Sequence, residues 1–182
     1  MREMTTLTID RPDETEYAHY YGKYVSLVAG DDVLAALGDQ LAATLALLRS
    51  VPEERANLRY APGKWSIKEL LGHMIDTERI FAYRALRFAR GDTTPVPGFE
   101  QDGYILNASF DACALDALTA EFESVRRATL FLFKHLDAEA WMRKGVASES
   151  EVSVRALAYI IAGHELHHTG ILRDRYLAAG SS

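Results

Sequence analysis

The feature that most constrains the fold is a pair of histidines on the apolar face of a helical segment near the C-terminus. Over residues 154–171, apolar positions recur at alternating steps of three and four residues, as on the core-facing side of a helix. The inward positions are Val154, Leu157, Ile161, His164, His168 and Ile171. Burying one polar ring without a partner costs about 1–3 kcal/mol. Two imidazoles on this face therefore need a shared partner.

A metal ion is the partner that this spacing favours. Side chains at positions i and i+4 of a helix lie one above the other, with Cβ atoms about 5–6 Å apart. His164 and His168 can then both reach one ion at the usual zinc–nitrogen distance of about 2.0–2.1 Å. The alternative is a pair of core histidines that bond to carboxylates or backbone carbonyls, because most buried polar groups find some partner.

Helical patterns separated by loops account for most of the chain, and no strand pair is expected. Ser66 and Glu69 form the capping box that begins the second long helix. Residues 93–107 are predicted as a long crossover loop, and residues 145–151 as a polar turn. The four long helices are predicted at residues 32–50 (capped by Asp31 or Asp32), 66–90, 114–136 and 153–179. The chain is thus predicted to be one all-α domain, 1–182, a four-helix bundle with an N-terminal arm and short helix in residues 1–30.

A third metal ligand must come from another helix, because catalytic zinc sites usually have three protein ligands and a water. His73 is the best placed, since it lies on the inward stripe of the second helix, and bundle helices pack with axes about 8–10 Å apart. His167 could replace His168 as a ligand, but the apolar stripe favours His168. Asp76, one turn from His73, could orient that ring or accept a proton from the nucleophile.

Composition and charge exclude several classes of function. A net charge of −6 argues against a nucleic-acid surface, which needs clustered Lys and Arg. The basic run at Arg84, Arg87 and Arg90 is typical of a solvated or ion-paired helix face, and Glu78 is expected to be solvated or paired with Arg79 or Arg84. The single cysteine fits a reducing cytoplasm. No apolar run approaches the length of a membrane span. We therefore expect a cytoplasmic protein that binds neither nucleic acid nor membrane.

Four sequence blocks resemble those of the DinB/YfiT-like superfamily of metal-dependent enzymes. The blocks are residues 64–69 (KWSIKE), 72–78 (GHMIDTE), 84–91 (RALRFARG) and 162–168 (AGHELHH). The resemblance implies an up-down-down-up four-helix bundle in which His73, His164 and His168 hold a nickel or zinc ion. Members of this superfamily include thiol S-transferases that use a low-molecular-weight thiol. A small-molecule substrate and a thiol cosubstrate are therefore implied.

Three functions follow from these patterns. The first is a metal-dependent thiol S-transferase or hydrolase, because a divalent ion held by neutral imidazoles lowers the pKa of a water or thiol that it binds. The second is a metal-stabilised binding module without turnover; the long amphipathic surfaces would also suit a homodimer. The third is a zincin-type metalloprotease, because residues 164–168 match H-E-x-x-H with Glu165 as general base. Against it, residues 169–182 contain no His or Glu to serve as a third ligand.

Overall fold

Four long helices form the bundle that carries the histidines. A computed structural model describes residues 9–178 of the chain. Its helices are α1 (Gly22–Val25), α2 (Val33–Arg49), α3 (Ile67–Ala89), α4 (Gln101–Asn107), α5 (Leu115–Lys134), α6 (Ala138–Met142) and α7 (Val154–Ile171). Each of α2 and α3 packs against both α5 and α7, so these four make up the bundle. The prediction of an all-α four-helix bundle is confirmed.

Capping side chains determine where three of the four long helices begin, whereas α5 follows Ala114 without such a cap. Asp32, not Asp31, accepts a hydrogen bond from the Ala35 amide at the start of α2. Ser66 accepts one from the Glu69 amide, and the Glu69 carboxylate accepts one from the Ser66 amide, so the predicted capping box is present. The Ser153 hydroxyl caps α7 by accepting from the Ala156 amide. Each cap satisfies an N–H group that has no partner within its helix, which fixes the register of α3 and α7 and hence the positions of their histidines.

A β-hairpin occupies the segment that was predicted as a polar turn without strands, so that prediction is wrong. Strands β1 (Lys144–Ala147) and β2 (Ser150–Ser153) pair antiparallel, joined by Ser148 and Glu149. These two turn residues have φ of 52° and 64°. A two-residue turn with positive φ at both positions is normally marked by Asn-Gly or a similar pair. The hairpin was missed because this turn lacks that signature.

The crossover loop also contains structure of its own. Helix α4 lies at residues 101–107 and begins at Glu100, whose carboxylate accepts from the amides of Asp102 and Gly103. Val96 forms a parallel bridge with Ala147, and its carbonyl accepts from the Ser148 amide at 3.0 Å. The loop is thereby attached to the turn of the hairpin.

The ends of the described chain differ from the predicted boundaries. Near the N-terminus, turns of 3₁₀-helix at Glu14–Glu16 and His19–Tyr21 precede α1. At the other end, α7 gives way to a π-helical segment, Leu172–Leu177. The predicted helix end at Ala179 and the first eight residues of the predicted arm lie outside the described residues. From residue 9 to residue 178, no helix combines the length and apolar character that a bilayer crossing requires.

Candidate metal centre

Three buried histidines from two helices meet in the middle of the bundle. His73 of α3 places its Nε2 atom 3.0 Å from Nε2 of His164 on α7. His168, one turn further along α7, places its Nε2 atom 3.0 Å from the same nitrogen. The three residues are 4%, 6% and 7% exposed, respectively. The structure thus brings together all three residues that the sequence selected as ligands.

Hydrogen bonding alone does not account for this cluster, whereas one metal ion does. An imidazole nitrogen carries either one N–H or one lone pair in the ring plane, so His164 Nε2 can make one good hydrogen bond and not two. Nitrogens about 2.0–2.1 Å from a common ion lie about 2.9–3.4 Å apart when the angles at the metal are about 90–110°. The observed 3.0 Å separations fall in this range. The residues present fit a divalent ion.

Burial keeps the three imidazoles neutral, which is the form that binds a metal. Desolvation lowers the pKa of His73 to about 4 and that of His168 to about 2. It lowers the pKa of His164 well below its ordinary value, and the like charge that the other two rings would carry adds to the effect. Near neutral pH their lone pairs are therefore available to an ion.

Thr77, rather than Asp76, lies beside the first ligand. The Thr77 hydroxyl is 3.4 Å from Nδ1 of His73, where it can help to orient the ring. The half-buried Asp76 carboxylate instead lies 3.8 Å from Arg79, and burial raises its pKa. Within the described part of the chain no hydrogen bond connects Asp76 to a histidine. The geometry therefore does not support the predicted role of Asp76 as base or ring-orienting group.

A buried ion cluster lies next to the histidines, and the sequence reasoning missed it. Arg126 of α5 is fully buried and donates to both carboxylate oxygens of Glu78 at 2.8 Å and to the carboxylate of Glu165. The prediction that Glu78 is solvated or paired with Arg79 or Arg84 is therefore wrong, because its carboxylate is buried and pairs with Arg126. The sequence does contain a signal that Arg126 is buried, because position 126 lies on the inward stripe of α5. That stripe includes Leu115, Leu118, Phe122, Thr129 and Phe133.

The pairing of Glu165 with Arg126 contradicts the zincin alternative. In an H-E-x-x-H protease the glutamate must face the metal-bound water as general base. Here Glu165 is 2% exposed and its carboxylate engages Arg126, and burial raises the pKa of Glu165. The third histidine also comes from upstream, on α3, and not from downstream of His168.

Aromatic side chains surround the three histidines. The Trp65 ring lies 4.8 Å from the His73 ring, measured between centroids. The Tyr24 ring lies 5.4 Å from both His164 and His167. His167 itself is half-buried and contacts His168 ring to ring at 5.0 Å. It flanks the three-histidine cluster without joining it.

Two clefts reach the cluster from different sides. One, of about 300 Å³, ends at His73 and His164. Its other lining residues include Tyr20, Tyr21, Tyr24, Phe81, Phe99 and Ser148. The second, of about 310 Å³, includes His168 and Trp65 in its lining. Glu100 and Gln101 line the first cleft and Asp102 the second, so the start of α4 lies between the two openings.

Comparison with known proteins points to one family. A family model described as the DinB superfamily matches residues 36–172. A protein of Oceanobacillus iheyensis that bears the name "putative metal-dependent hydrolase" is 25% identical over 123 residues, which are 66% of this chain and 70% of that protein.

Solved structures show the same fold at low sequence identity. YfiT from Bacillus subtilis, described as "a probable metal-dependent hydrolase with an unusual four-helix bundle topology", superposes with a TM-score of 0.68 and 13% identity. The match covers 96% of this chain and 95% of YfiT. The DinB-like protein YjoA, also from Bacillus subtilis, gives a TM-score of 0.59 at 19% identity, over 82% of this chain and 92% of YjoA. The bundle is therefore a shared architecture.

Proposed function

This chain belongs to the DinB superfamily, and we propose that it is a metal-dependent enzyme that acts on a small molecule. The observation that carries this proposal is the convergence of three buried, neutral imidazole nitrogens. The name of the Oceanobacillus relative supports the same general chemistry. For the reaction we propose transfer of a small thiol, with hydrolysis as the alternative.

The histidines would hold the ion, and the surrounding residues would prepare the site. When bound, a divalent ion with three neutral ligands keeps its full charge and lowers the pKa of a water or thiol beside it. Thr77 restrains the His73 ring, and Trp65 and Tyr24 cover the cluster with apolar surface. Three nitrogen ligands suit zinc or nickel, and either ion is proposed here.

The two clefts are the reason to place thiol transfer before hydrolysis. A transferase must bring two molecules to one point, whereas a hydrolase needs a site for one substrate and water. The cleft at His73 and His164 and the cleft at His168 offer separate approaches on either side of α4. We propose that the electrophile and the thiol use different clefts.

The second candidate function is a metal-stabilised binding module. The three-histidine cluster supports it because it joins α3 to α7. An ion held there would tie two bundle helices together even without turnover. Structural zinc sites, however, usually have four protein ligands. Among the described residues the cluster has three, and this favours catalysis. A homodimer is proposed for either case, by analogy with the symmetric assemblies that helical proteins commonly form.

Elemental analysis tests the proposed metal site. We expect about one zinc or nickel ion per chain in the wild type, retained in His167→Ala and lost in His164→Ala. His167 is the matched control, because it is a neighbouring histidine outside the cluster. A wild type that takes up neither metal on reconstitution, or a His164→Ala variant that binds as much as the wild type, would contradict the proposal.

The loaded protein then separates the two reactions and the binding module. Thiol transfer predicts that an electrophile is consumed in proportion to an added small thiol, and hydrolysis predicts that an activated ester is consumed without one. Both should stop in His164→Ala. A metal-loaded protein that is stabilised by the ion but consumes neither compound would favour the binding module.

A further inference from the structure

A buried guanidinium without a carboxylate partner lies behind one wall of the aromatic cleft. Arg84 of α3 is 1% exposed, and its Nη2 donates at 3.0 Å to the Pro97 carbonyl and at 3.0 Å to the Ser148 hydroxyl. Its Nε has no hydrogen-bond partner within the described residues. The guanidinium carbon lies 5.3 Å and 5.9 Å from the ring centroids of Phe81 and Phe99. Both rings line the cleft.

The environment of Arg84 differs from that of the other fully buried arginine. Arg126 is neutralised by two carboxylates, whereas none of the ion pairs seen in residues 9–178 involves Arg84. An uncompensated buried charge is unfavourable, and proteins usually pair it. Burial lowers the pKa of Arg84, an effect opposed only by neighbouring Tyr21. The positive charge is therefore available to an anion that comes from outside the chain.

Ser148 connects this charge to the cleft. Its hydroxyl accepts from Arg84 and also lines the cleft that ends at His73 and His164. A hydroxyl that accepts from a guanidinium can still donate its own proton, and Ser148 is exposed where it lines the cleft. Ser148 has a φ of 52°, a conformation that is unfavourable for a residue with a side chain. Glu149 shares this conformation, so the strain belongs to the turn; what distinguishes Ser148 is that its hydroxyl accepts from Arg84 and lines the cleft.

We propose that Ser148, with Arg84 behind it, is an anion-recognition subsite, and that the substrate is a small aromatic or apolar molecule carrying a carboxylate. The tyrosine and phenylalanine walls suit a ring or an alkyl chain. A carboxylate would accept from the Ser148 hydroxyl under the charge of Arg84. Glu100, the acidic residue in this lining, is already engaged by the amides of Asp102 and Gly103. The inference rests on the proposed function, since it orients that substrate toward the histidines.

Binding of a matched pair of probes tests the subsite. Phenylacetate and phenylacetamide have the same ring and nearly the same shape, and only the former is charged. We expect calorimetry on the metal-free wild-type chain to show a preference of about tenfold or more for phenylacetate. Ser148→Gly should bring the ratio of the two dissociation constants close to one. Glu149→Gly should keep the preference, although it relieves the same backbone strain, since Glu149 has a φ of 64°.

Equal affinity for the two probes in the wild type, or a preference that survives in Ser148→Gly, would overturn the subsite. A preference that appears only after metal loading would also overturn it, because the carboxylate would then be binding the ion. The metal-free measurement keeps this test independent of the proposed enzyme. A Ser148-dependent preference in a protein that binds no metal would uphold the subsite while the proposed function fails.

Discussion

At the scale of single residues, Arg126 is the side chain on which the surroundings of the histidines depend. It joins Glu78, the residue after Thr77, to Glu165, the residue after His164. Its Nη1 also donates to the Leu37 carbonyl of α2 at 3.3 Å. One guanidinium thus connects all four helices of the bundle at the level of the candidate metal site. A buried pair of this kind adds little net stability when intact, but leaves unpaired charges when one partner is removed.

Replacement of Arg126 by methionine should therefore be strongly destabilising. We expect Arg126→Met to lower the free energy of unfolding by about 3–5 kcal/mol, because two buried carboxylates lose their cation. The matched control is Arg127→Met, since Arg127 is exposed and pairs with Glu123 within α5. It should cost less than about 1 kcal/mol. Urea titrations of both variants measure the difference in free energy of unfolding. If Arg126→Met and Arg127→Met lost similar amounts, the buried ion cluster would not be important for stability.

At the scale of secondary-structure elements, a close contact between α1 and α7 determines where the tyrosine wall lies. A Cβ atom at Gly163 would fall 2.0 Å from the Tyr24 carbonyl oxygen, a backbone atom that cannot rotate away. Glycine at this position lets α1 lie directly on α7, one residue before His164 of the three-histidine cluster. Tyr24 consequently packs against the His164 ring.

An added methyl group at position 163 should separate the two helices. We expect Gly163→Ala to destabilise the fold by about 1–3 kcal/mol, through overpacking and the shift of α1. Gly170→Ala is the control on the same helix, because a Cβ there would meet nothing within 4 Å. It should stabilise by up to about 1 kcal/mol through helix propensity. Thermal or urea unfolding of both variants tests this prediction. If Gly163→Ala left the free energy of unfolding unchanged, the contact between Gly163 and the Tyr24 backbone would not fix the position of α1.

The elements that the sequence predicted well are those with local signals of their own. Three of the four long helices have capping side chains such as Ser66, and the long helices carry amphipathic stripes many turns long. The inward spacing of His164 and His168 predicted two members of the three-histidine cluster directly. The hairpin, by contrast, has the turn pair Ser148-Glu149, and its backbone is maintained by tertiary contacts with Val96. Pairings such as Glu78 with Arg126, 48 residues apart, depend on how the helices are arranged. A pattern within one helix does not contain that arrangement.

At the scale of the whole molecule, the fold keeps three titratable rings neutral in its interior, and stability must therefore depend on pH. The pKa of His73 is about 4 and that of His168 about 2 in the folded chain, against an ordinary value of 6.5. Below pH 6.5 the unfolded chain takes up protons that the folded chain does not. The contribution of these histidines to the free energy of unfolding therefore decreases as the pH is lowered from about 6.5 toward the pKa values of the folded chain.

We expect the metal-free protein to be less stable at about pH 5 than at about pH 8, because its histidines charge only on unfolding. The raised pKa of Glu165 has the opposite effect, because it favours the folded state as the pH falls. A matched variant is therefore needed to isolate the contribution of the histidines to the pH dependence. In His168→Gln the dependence on pH should be shallower, because one buried base has been removed. Urea midpoints at the two pH values provide the measurement. An unchanged pH slope in the variant would show that His168 is not the buried neutral base described here.

The distance along the chain between the two halves of the candidate metal site has a consequence for biosynthesis. His73 and His164 are 91 residues apart in sequence, and both ligands on α7 belong to the last long helix. A growing polypeptide that has produced α3, α4 and α5 still holds only one of the three ligands. An ion that needs all three histidines could be acquired only after α7 has been translated and has docked onto α3. Under the proposed function, loading with metal would therefore be a late event, and a chain without α7 would lack a complete site.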